Sequence, residues 1–122
     1  MPLVKGRVLD LGCGTASMYK GTHVELLGVD FSLNALTEAK KNYPEGIFLQ
    51  ADITKRLPFP DKSFDTALLA GVLDWFYDSD AILKEARRVT KGKVLATLLN
   101  GFRGHDWSSY RHLIGNWHIM IL

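Results

Sequence analysis

Short apolar segments alternate along most of the chain with stretches that have helical spacing or many turn residues. Each segment is five to seven residues long, which is typical of strands. The predicted strands are residues 6–11, 24–29, 47–51, 64–70 and 93–99. Nearly continuous apolar strands separated by helices indicate a parallel sheet covered on both faces. The sequence therefore predicts an α/β fold, a Rossmann-like three-layer sandwich with a mainly parallel sheet of about five strands.

Three helices are predicted between these strands. The first is short, residues 14–20; the second runs from an N-cap at Ser32 to about residue 42; the third runs from Asp78 or Ser79 to residue 90. Residues 57–63 contain two prolines and an Asp, which predicts a loop. Helical spacing predicts one apolar face on each of the two longer helices. The second helix would bury Leu33, Leu36 and Ala39 or Lys40, and the third Ile82, Leu83, Ala86 and Val89.

Length and composition narrow the functional classes. The 122 residues fit one domain, predicted as residues 1–122 with a core at about 4–99 and an aromatic and basic extension at 100–122. The net charge is +2 without a run of Lys or Arg, so a nucleic-acid partner is not supported. Cys13 is the only cysteine, which excludes an internal disulfide, and no cluster has zinc spacing, so no metal is expected. Neither a signal peptide nor a membrane-spanning run is found, and a cytoplasmic protein is expected.

Three features fall at successive strand ends, where parallel α/β sheets bind ligands. Gly12 and Gly14 follow the first strand and allow a sharp turn with close approach to a ligand. The N-terminus of the helix after them would attract a carboxylate. Asp30 ends the second strand and can accept bonds from both hydroxyls of a ribose, while Asp52 follows the third and can accept from an adenine amino group. Asp10 lies inside an apolar strand, where a carboxyl needs a hydrogen-bond partner, and this favours a site role.

Each feature also has a purely structural interpretation. Glycines mark any tight turn, and an Asp at a strand end is often a turn former or helix cap. Cys13 has no thiolate-activating neighbour in the sequence, so a nucleophilic role is not favoured. The aromatic stretch at residues 74–77 either packs against the sheet edge or flanks a cationic group at the site. The ordered combination of the three features, rather than any one of them, favours a ligand site.

Specific motifs carry a family resemblance. The segments LDLGCGTA, GVDFS, ADIT and LPFPDKSFDTALLAGVLDWF resemble motifs of the class I S-adenosylmethionine (SAM)-dependent methyltransferases, most of all the methyltransferase type 11 group. EARRVTKGKVLAT resembles the next part of that pattern, so the similarity covers about residues 8–99. The resemblance implies the strand order 3-2-1-4-5 and SAM as cofactor. It also implies methyl transfer by direct displacement to an acceptor that the sequence does not identify, expected to be a small molecule.

The resemblance also assigns residues to parts of the cofactor. Around the methionine end it places Asp10 of the first strand and the loop residues after that strand, Gly12, Cys13 and Gly14. Leu69 and Ala70 of strand four would lie near the same end. Asp30 would bind the ribose hydroxyls, with Phe31 beside the adenine. Asp52 and the backbone of Ile53 would bind the adenine edge. The resemblance identifies no catalytic residue.

The chain departs from the family pattern in two ways. Ala16 stands where the loop of the family commonly has a third glycine. The family usually has helices upstream of strand one and two strands downstream of strand five, and here both are expected to be missing or replaced. We expect a helix at residues 106–114 beside strand five, and we expect WHIMIL either to pair along the edge of that strand or to contact a second chain. A homodimer or a protein partner follows as an expectation.

Two other functions are compatible with the same strand pattern. An NAD-binding Rossmann protein shares the βαβ plan and the acidic residue after strand two. Against it, Ser17 stands where the dinucleotide fingerprint G-x-G-x-x-G has its last glycine. A non-catalytic SAM-fold module that acts as a partner or regulatory subunit is the other alternative, because fold alone does not determine function.

Overall fold

The computed structural model describes residues 6–73, 79–98, 110–114 and 117–121. Two α-helices and seven strands are assigned within them. The helices are α1 Leu33–Asn42 and α2 Ser79–Val89. The strands are β1 Arg7–Leu11, β2 Glu25–Asp30, β3 Ile47–Gln50, β4 Phe64–Leu69, β5 Thr90–Leu98, β6 Tyr110–Ile114 and β7 Trp117–Ile121. The predicted strands are confirmed within a few residues at each end, and β5 begins three residues earlier than predicted.

All seven strands form one sheet in the order β3-β2-β1-β4-β5-β7-β6. The first five are parallel, so the predicted order 3-2-1-4-5 is confirmed. Residues that alternate along β1 enter two different cores, as strand geometry requires. Leu9 belongs to the core that α2 covers, and Val8 to the core that contains Ala39 of α1. The sheet is therefore covered on both faces, as its apolar strands predict.

The connection from β1 to β2 is not the predicted helix. Only a single 3₁₀ turn, Ser17–Tyr19, is present. Gly14 and Ala16 both have φ of 55°, in the left-handed region, and a right-handed helix cannot run through such residues. Tyr19 takes over part of the covering role of a helix, since it is fully buried with its ring 5.7 Å from that of Tyr43.

Helices α1 and α2 follow their sequence signals. Ser32 caps α1 by accepting a hydrogen bond from the backbone N–H of Ala35. Leu36 and Ala39 are buried as predicted, but Leu33 is 61% exposed, so the prediction of a buried side chain is wrong at this position in the first turn of α1. The predicted apolar face of α2 is confirmed, since all four of its residues are buried: Ile82, Leu83, Ala86 and Val89.

The C-terminal segment differs from the prediction. Residues 110–114 form strand β6 rather than the end of a helix, while residues 106–109 lie outside the described part of the chain. β7 pairs antiparallel with β5 and β6 pairs antiparallel with β7. Ile114 pairs with Trp117, so two residues, Gly115 and Asn116, separate the strands, and Gly-Asn is a hairpin signal that overrides the weak helical pattern.

The two downstream strands were expected to be missing or replaced within the C-terminal segment, and β6 and β7 occupy their place beside β5. The first of the two outcomes expected for WHIMIL is the one observed, pairing along β5 from Leu95 to Leu98. The edge of β5 is therefore covered from Leu95 to Leu98. The argument for self-association through this edge no longer applies to that stretch, because its backbone groups are paired with β7.

Arg88 on α2 fastens the proline-containing loop to the helix. Its guanidinium donates to the carbonyl oxygens of Leu57 (3.1 Å) and Phe59 (2.9 Å) and to the carboxylates of Asp61 and Glu85. Glu85 also accepts from the Leu57 N–H. The Arg88 hydrogen bonds lower the pKa of Glu85 to about 2, so the ion pair is fully formed at neutral pH.

We expect Arg88→Lys to lower the free energy of unfolding by about 2–3 kcal/mol, since one ammonium cannot replace the planar donor set and leaves carbonyl groups unpaired. Urea denaturation at pH 7 measures this. The control is Arg87→Lys, a neighbouring exposed position where a change below about 0.5 kcal/mol is expected. Equal effects at the two positions would contradict the role of Arg88.

Candidate functional site

A cavity of about 540 Å³ opens at the carboxyl ends of the parallel strands. Six of the ten residues predicted for the site line it: Gly12, Asp30, Phe31, Asp52, Ile53 and Ala70. Four further lining residues were not predicted: Ala51, Thr54, Gly71 and Val72. Of these, only Gly71 had a sequence signal, a glycine directly after an apolar strand. The remaining predicted residues are not among those that line it: Asp10, Cys13, Gly14 and Leu69.

The loop after β1 is tied to β2 by backbone hydrogen bonds. The N–H groups of Gly12 and Cys13 both donate to the carbonyl oxygen of Val29, at 2.7 and 3.0 Å. Gly12 has φ of 83°, and a Cβ there would lie 2.5 Å from Cγ2 of Val72. Only glycine fits this position. At Ala16, where the family commonly has glycine, the left-handed backbone carries a side chain at a cost of about 1–2 kcal/mol.

Four amides of this loop donate hydrogen bonds within the protein. Besides the bonds to Val29, the Gly14 N–H donates to Oδ2 of Asp30 (2.9 Å) and the Ala16 N–H to the carbonyl of Cys13 (3.1 Å). No α-helix follows the loop within the described residues up to β2. The prediction that a helix N-terminus here would attract a carboxylate is therefore wrong in its premise.

Asp30 lines the cavity and also holds the surrounding backbone. Its Oδ2 accepts from Gly14, and its Oδ1 accepts from the Ser32 N–H at 2.9 Å. An ionised carboxylate has about four acceptor positions, so two remain for a ligand. The structural and the ligand-binding interpretations of Asp30 are compatible with each other.

Asp52 lies at the mouth of the cavity, on the loop after β3. Its Oδ1 accepts from both the N–H (2.9 Å) and the hydroxyl (2.6 Å) of Thr54. These bonds lower the pKa of Asp52, which keeps it ionised at neutral pH. The side chain of Ile53 is buried in the core, so the part of Ile53 that can meet a ligand is its backbone. Phe31 is 76% exposed and offers a ring face beside the cavity.

Asp10 is a buried carboxyl behind the glycine loop. Tyr19 donates its hydroxyl to Oδ2 of Asp10 at 2.6 Å, and among the described residues Oδ1 has no hydrogen-bond partner. Burial raises the pKa of Asp10 to about 7, the Tyr19 hydrogen bond partly opposes that rise, and the charge of Asp30 adds to it. Sequence reasoning missed Tyr19, although a buried Asp requires a donor and a tyrosine nine residues away can supply one.

Cys13 and Leu69 have structural surroundings. Burial, with the nearby Asp10 and Asp30, raises the pKa of Cys13 to about 12, so it is a neutral thiol. A Cβ at Gly28 would lie 2.7 Å from its Sγ, which shows how closely the thiol fits against β2. The nucleophilic role that the sequence did not favour gains no support here. Leu69 is fully buried in the core, leaving its backbone as the part nearest the cavity.

The part of the chain that the structure describes contains neither a candidate metal cluster nor a membrane-spanning helix. Residues 6–73 and 79–98 with the two C-terminal strands contain no group of three or more His, Cys, Asp or Glu side chains able to hold a metal ion. Over the same residues, no helix has the length and apolar character needed to cross a bilayer. The aromatic stretch at 74–77 lies outside the described residues, so its two interpretations stay open.

Comparisons with known proteins agree on the fold and differ on the substrate. A family model described as a methyltransferase domain matches residues 9–96. The chain is 38% identical over 98 residues to a demethylmenaquinone methyltransferase of Thermotoga maritima, covering 76% of this chain and 42% of that protein. It is 37% identical over 101 residues to a malonyl-[acyl-carrier protein] O-methyltransferase of Erwinia pyrifoliae, covering 78% and 38%.

A solved structure gives the same result. The crystal structure of a SAM-dependent methyltransferase of Thermotoga maritima, described as a possible histamine N-methyltransferase, superposes with a TM-score of 0.68 at 28% identity. The match covers 79% of this chain and 45% of that one. The chain thus spans less than half the length of these relatives.

The raised pKa of Asp10 predicts a pH effect on stability. The folded chain holds a proton on Asp10 up to a pKa of about 7, whereas an unfolded Asp loses it near 4, so stability falls as pH rises between these values. Asp10→Asn cannot ionise. We expect the unfolding free energy of this variant to rise relative to the wild type by about 2 kcal/mol from pH 5 to pH 7 in urea titrations.

The control for this experiment is Asp52→Asn, because Asp52 has a lowered pKa and is ionised over the whole range. Its unfolding free energy should keep a constant difference from the wild type between pH 5 and pH 7. Parallel pH profiles for the wild type and Asp10→Asn would show that Asp10 does not titrate in this range.

Proposed function

Because this chain belongs to the methyltransferase domain family, we propose that it binds SAM in the cavity at the strand ends and transfers the methyl group to a small-molecule acceptor. The observation that carries the proposal is the convergence of Gly12, Asp30, Phe31 and Asp52 on one cavity. We also propose that residues 1–122 form one domain, since β7 joins the C-terminal segment to β5 of the core sheet.

The shape and chemistry of the cavity fit the cofactor that the family uses. A volume of about 540 Å³ lies within the range of about 300–1,000 Å³ of small-molecule sites. A Cβ on Gly12 would clash with Val72, another lining residue, so glycine is needed for the lining to keep this shape. Two carboxylates suit a ligand rich in hydroxyl and amino donors, and the ring of Phe31 suits a planar base.

The proposed residue roles are those that the family resemblance implies, and the cavity lining supports them at six of the ten positions. Asp30 would accept from the ribose hydroxyls with its two remaining acceptor sites. Phe31 would lie beside the adenine, and Asp52 with the backbone of Ile53 would accept from and donate to its edge. The methionine end would lie near Leu69 and Ala70, the last residue of β4 and the one after it. It would also lie near Asp10 of β1 and the loop residues Gly12, Cys13 and Gly14.

The loop geometry favours SAM over a dinucleotide. Dinucleotide sites present loop amides and a helix N-terminus to a pyrophosphate. Here the amides of Gly12, Cys13, Gly14 and Ala16 are already donated within the protein.

When bound, SAM supplies an activated methyl group on its sulfonium, so the protein does not have to create the leaving group. The contribution of the chain is to bind the cofactor, orient the acceptor in line with the methyl and exclude water. A general base is required only if the acceptor must lose a proton on transfer, and we assign no residue to that role. The acceptor should be sought first among demethylated quinones, because a relative at 38% identity is named for that substrate.

We expect calorimetry to show saturable binding of SAM and of S-adenosylhomocysteine, and no binding of NAD. Asp30→Ala should weaken S-adenosylhomocysteine at least about tenfold, since a hydrogen bond to a charged group contributes about 1.5–3 kcal/mol. The same substitution should change binding of the 2′,3′-dideoxy analogue less than about twofold. Glu45→Gln, in an exposed turn, is the matched control. Saturation with NAD alone, or equal losses for both nucleosides, would contradict the proposal.

Methyl transfer itself is tested by incubating the chain with SAM and a short-chain demethylmenaquinone, followed by mass spectrometry. The expected result is a product heavier by one methylene unit, formed in proportion to S-adenosylhomocysteine. An acceptor panel with amine and carboxyl compounds covers the other relatives' chemistries. SAM binding without transfer to any acceptor would instead favour the non-catalytic module.

A further inference from the structure

Thr97 connects the cavity wall to the C-terminal half of β5. Its Oγ1 accepts a hydrogen bond from the backbone N–H of Gly71 at 2.8 Å, across 26 residues of sequence. Gly71 follows β4, has φ of 67° and lines the cavity. This bond is a direct link between a side chain of the sheet and the backbone of the site.

The bond lies where regular strand pairing stops. The pairing of β4 with β5 ends at Leu69 opposite Ala96. Beyond it, residues 70–72 leave the sheet and form one wall of the cavity. Thr97 is the residue after Ala96, and its hydroxyl accepts from the Gly71 N–H where a backbone carbonyl would accept if the strand pairing continued. The direction in which the wall leaves the sheet therefore depends on this side chain.

The wall is held at a second point by the glycine loop. Val72 lies so close to Gly12 that a Cβ on Gly12 would be 2.5 Å from its Cγ2. The Thr97–Gly71 bond and the Val72–Gly12 contact together fix the spacing between the loop after β1 and the wall after β4. These are the two backbone segments that we assign to the methionine end of the cofactor.

Thr97 itself is fixed by strands on both sides. Ala96 pairs with Leu69 of β4, and Thr97 pairs with Ile119 of β7. Among the described residues, the stretch of β5 that pairs with β7 is Leu95–Leu98. The C-terminal hairpin thus supports the part of β5 that carries the bond to the cavity wall.

We propose that Thr97 is a positioning residue for the cofactor. Its hydroxyl fixes the wall at residues 70–72, and its pairing with Ile119 of β7 holds Thr97 in place. The inference rests on the proposed function. A threonine placed in β5 only for its β-branched shape would be replaceable by valine, which has nearly the same volume. The hydroxyl is therefore the feature to test.

The experiment compares Thr97→Val, which removes the acceptor, with Thr97→Ser, which keeps it. Without the acceptor, the wall is less ordered before binding, and ordering it on binding lowers the affinity. We expect Thr97→Val to weaken SAM binding about tenfold by calorimetry, equivalent to about 1.4 kcal/mol, and Thr97→Ser to stay within about twofold. Thr90→Val is the matched control on the same strand, since the Thr90 hydroxyl donates to the Ala86 carbonyl at 2.7 Å and away from the cavity.

A second measurement needs no ligand. Amide hydrogen exchange at Gly71 should become at least about fivefold faster in Thr97→Val and not in Thr97→Ser or Thr90→Val. Unchanged Gly71 exchange in Thr97→Val would overturn the inference whether or not the wild type binds SAM. If the wild type does not bind SAM, the proposed function fails, and a change in exchange would then leave Thr97 as the residue that fixes this wall. Equal loss of affinity in Thr97→Val and Thr97→Ser would also overturn it, because the hydroxyl would not be responsible.

Discussion

The parallel pairing of β1 with strands on both of its sides is the constraint from which the site follows. Asp10 of β1 is in register with Gly28 of β2 and with Leu68 of β4. Since parallel strands all end at the same edge, the loops after β1, β2, β3 and β4 meet there, although they are far apart in sequence. The cavity is a consequence of this arrangement, and its chemistry depends on which residues occupy the first positions after each strand.

The short connection from β1 to β2 makes the buried Asp10 possible. A helix over this part of the sheet would cover it with apolar side chains, whereas the 3₁₀ turn delivers the hydroxyl of Tyr19 to the carboxyl. Tyr43 supports that arrangement, because its ring contacts Tyr19 and its hydroxyl bonds both backbone groups of Val24. Tyr19 therefore both fills the core and satisfies the buried carboxyl of Asp10.

Apolar runs and glycine turns are local signals, and they predicted the strands and the glycine loop. The strand order and the lining residues Phe31, Ile53 and Ala70 were predicted from the family resemblance. Prediction failed where backbone conformation or pairing decided the outcome. The left-handed conformation of Ala16 is unusual for an alanine, so nothing in its identity warned that the predicted helix would not form. Residues 110–114 have a weak helical pattern, but they form a strand because their backbone pairs antiparallel with β7. Thr54, Tyr19 and Thr97 contribute through contacts with distant or turn residues, which spacing along one element does not show.

The three acidic residues at the strand ends differ because their surroundings differ. Burial holds the pKa of Asp10 near 7, while the bonds from Thr54 keep Asp52 ionised at the mouth of the cavity. Asp30 is held by the amides of Gly14 and Ser32. Asp30 and Asp52 line the cavity, where carboxylate oxygens suit a ligand with hydroxyl and amino donors, whereas Asp10 is not among the lining residues. A cationic group brought close to Asp10 would favour its ionised form over the protonated one, so the proton on Asp10 depends on what lies beside the loop that follows it.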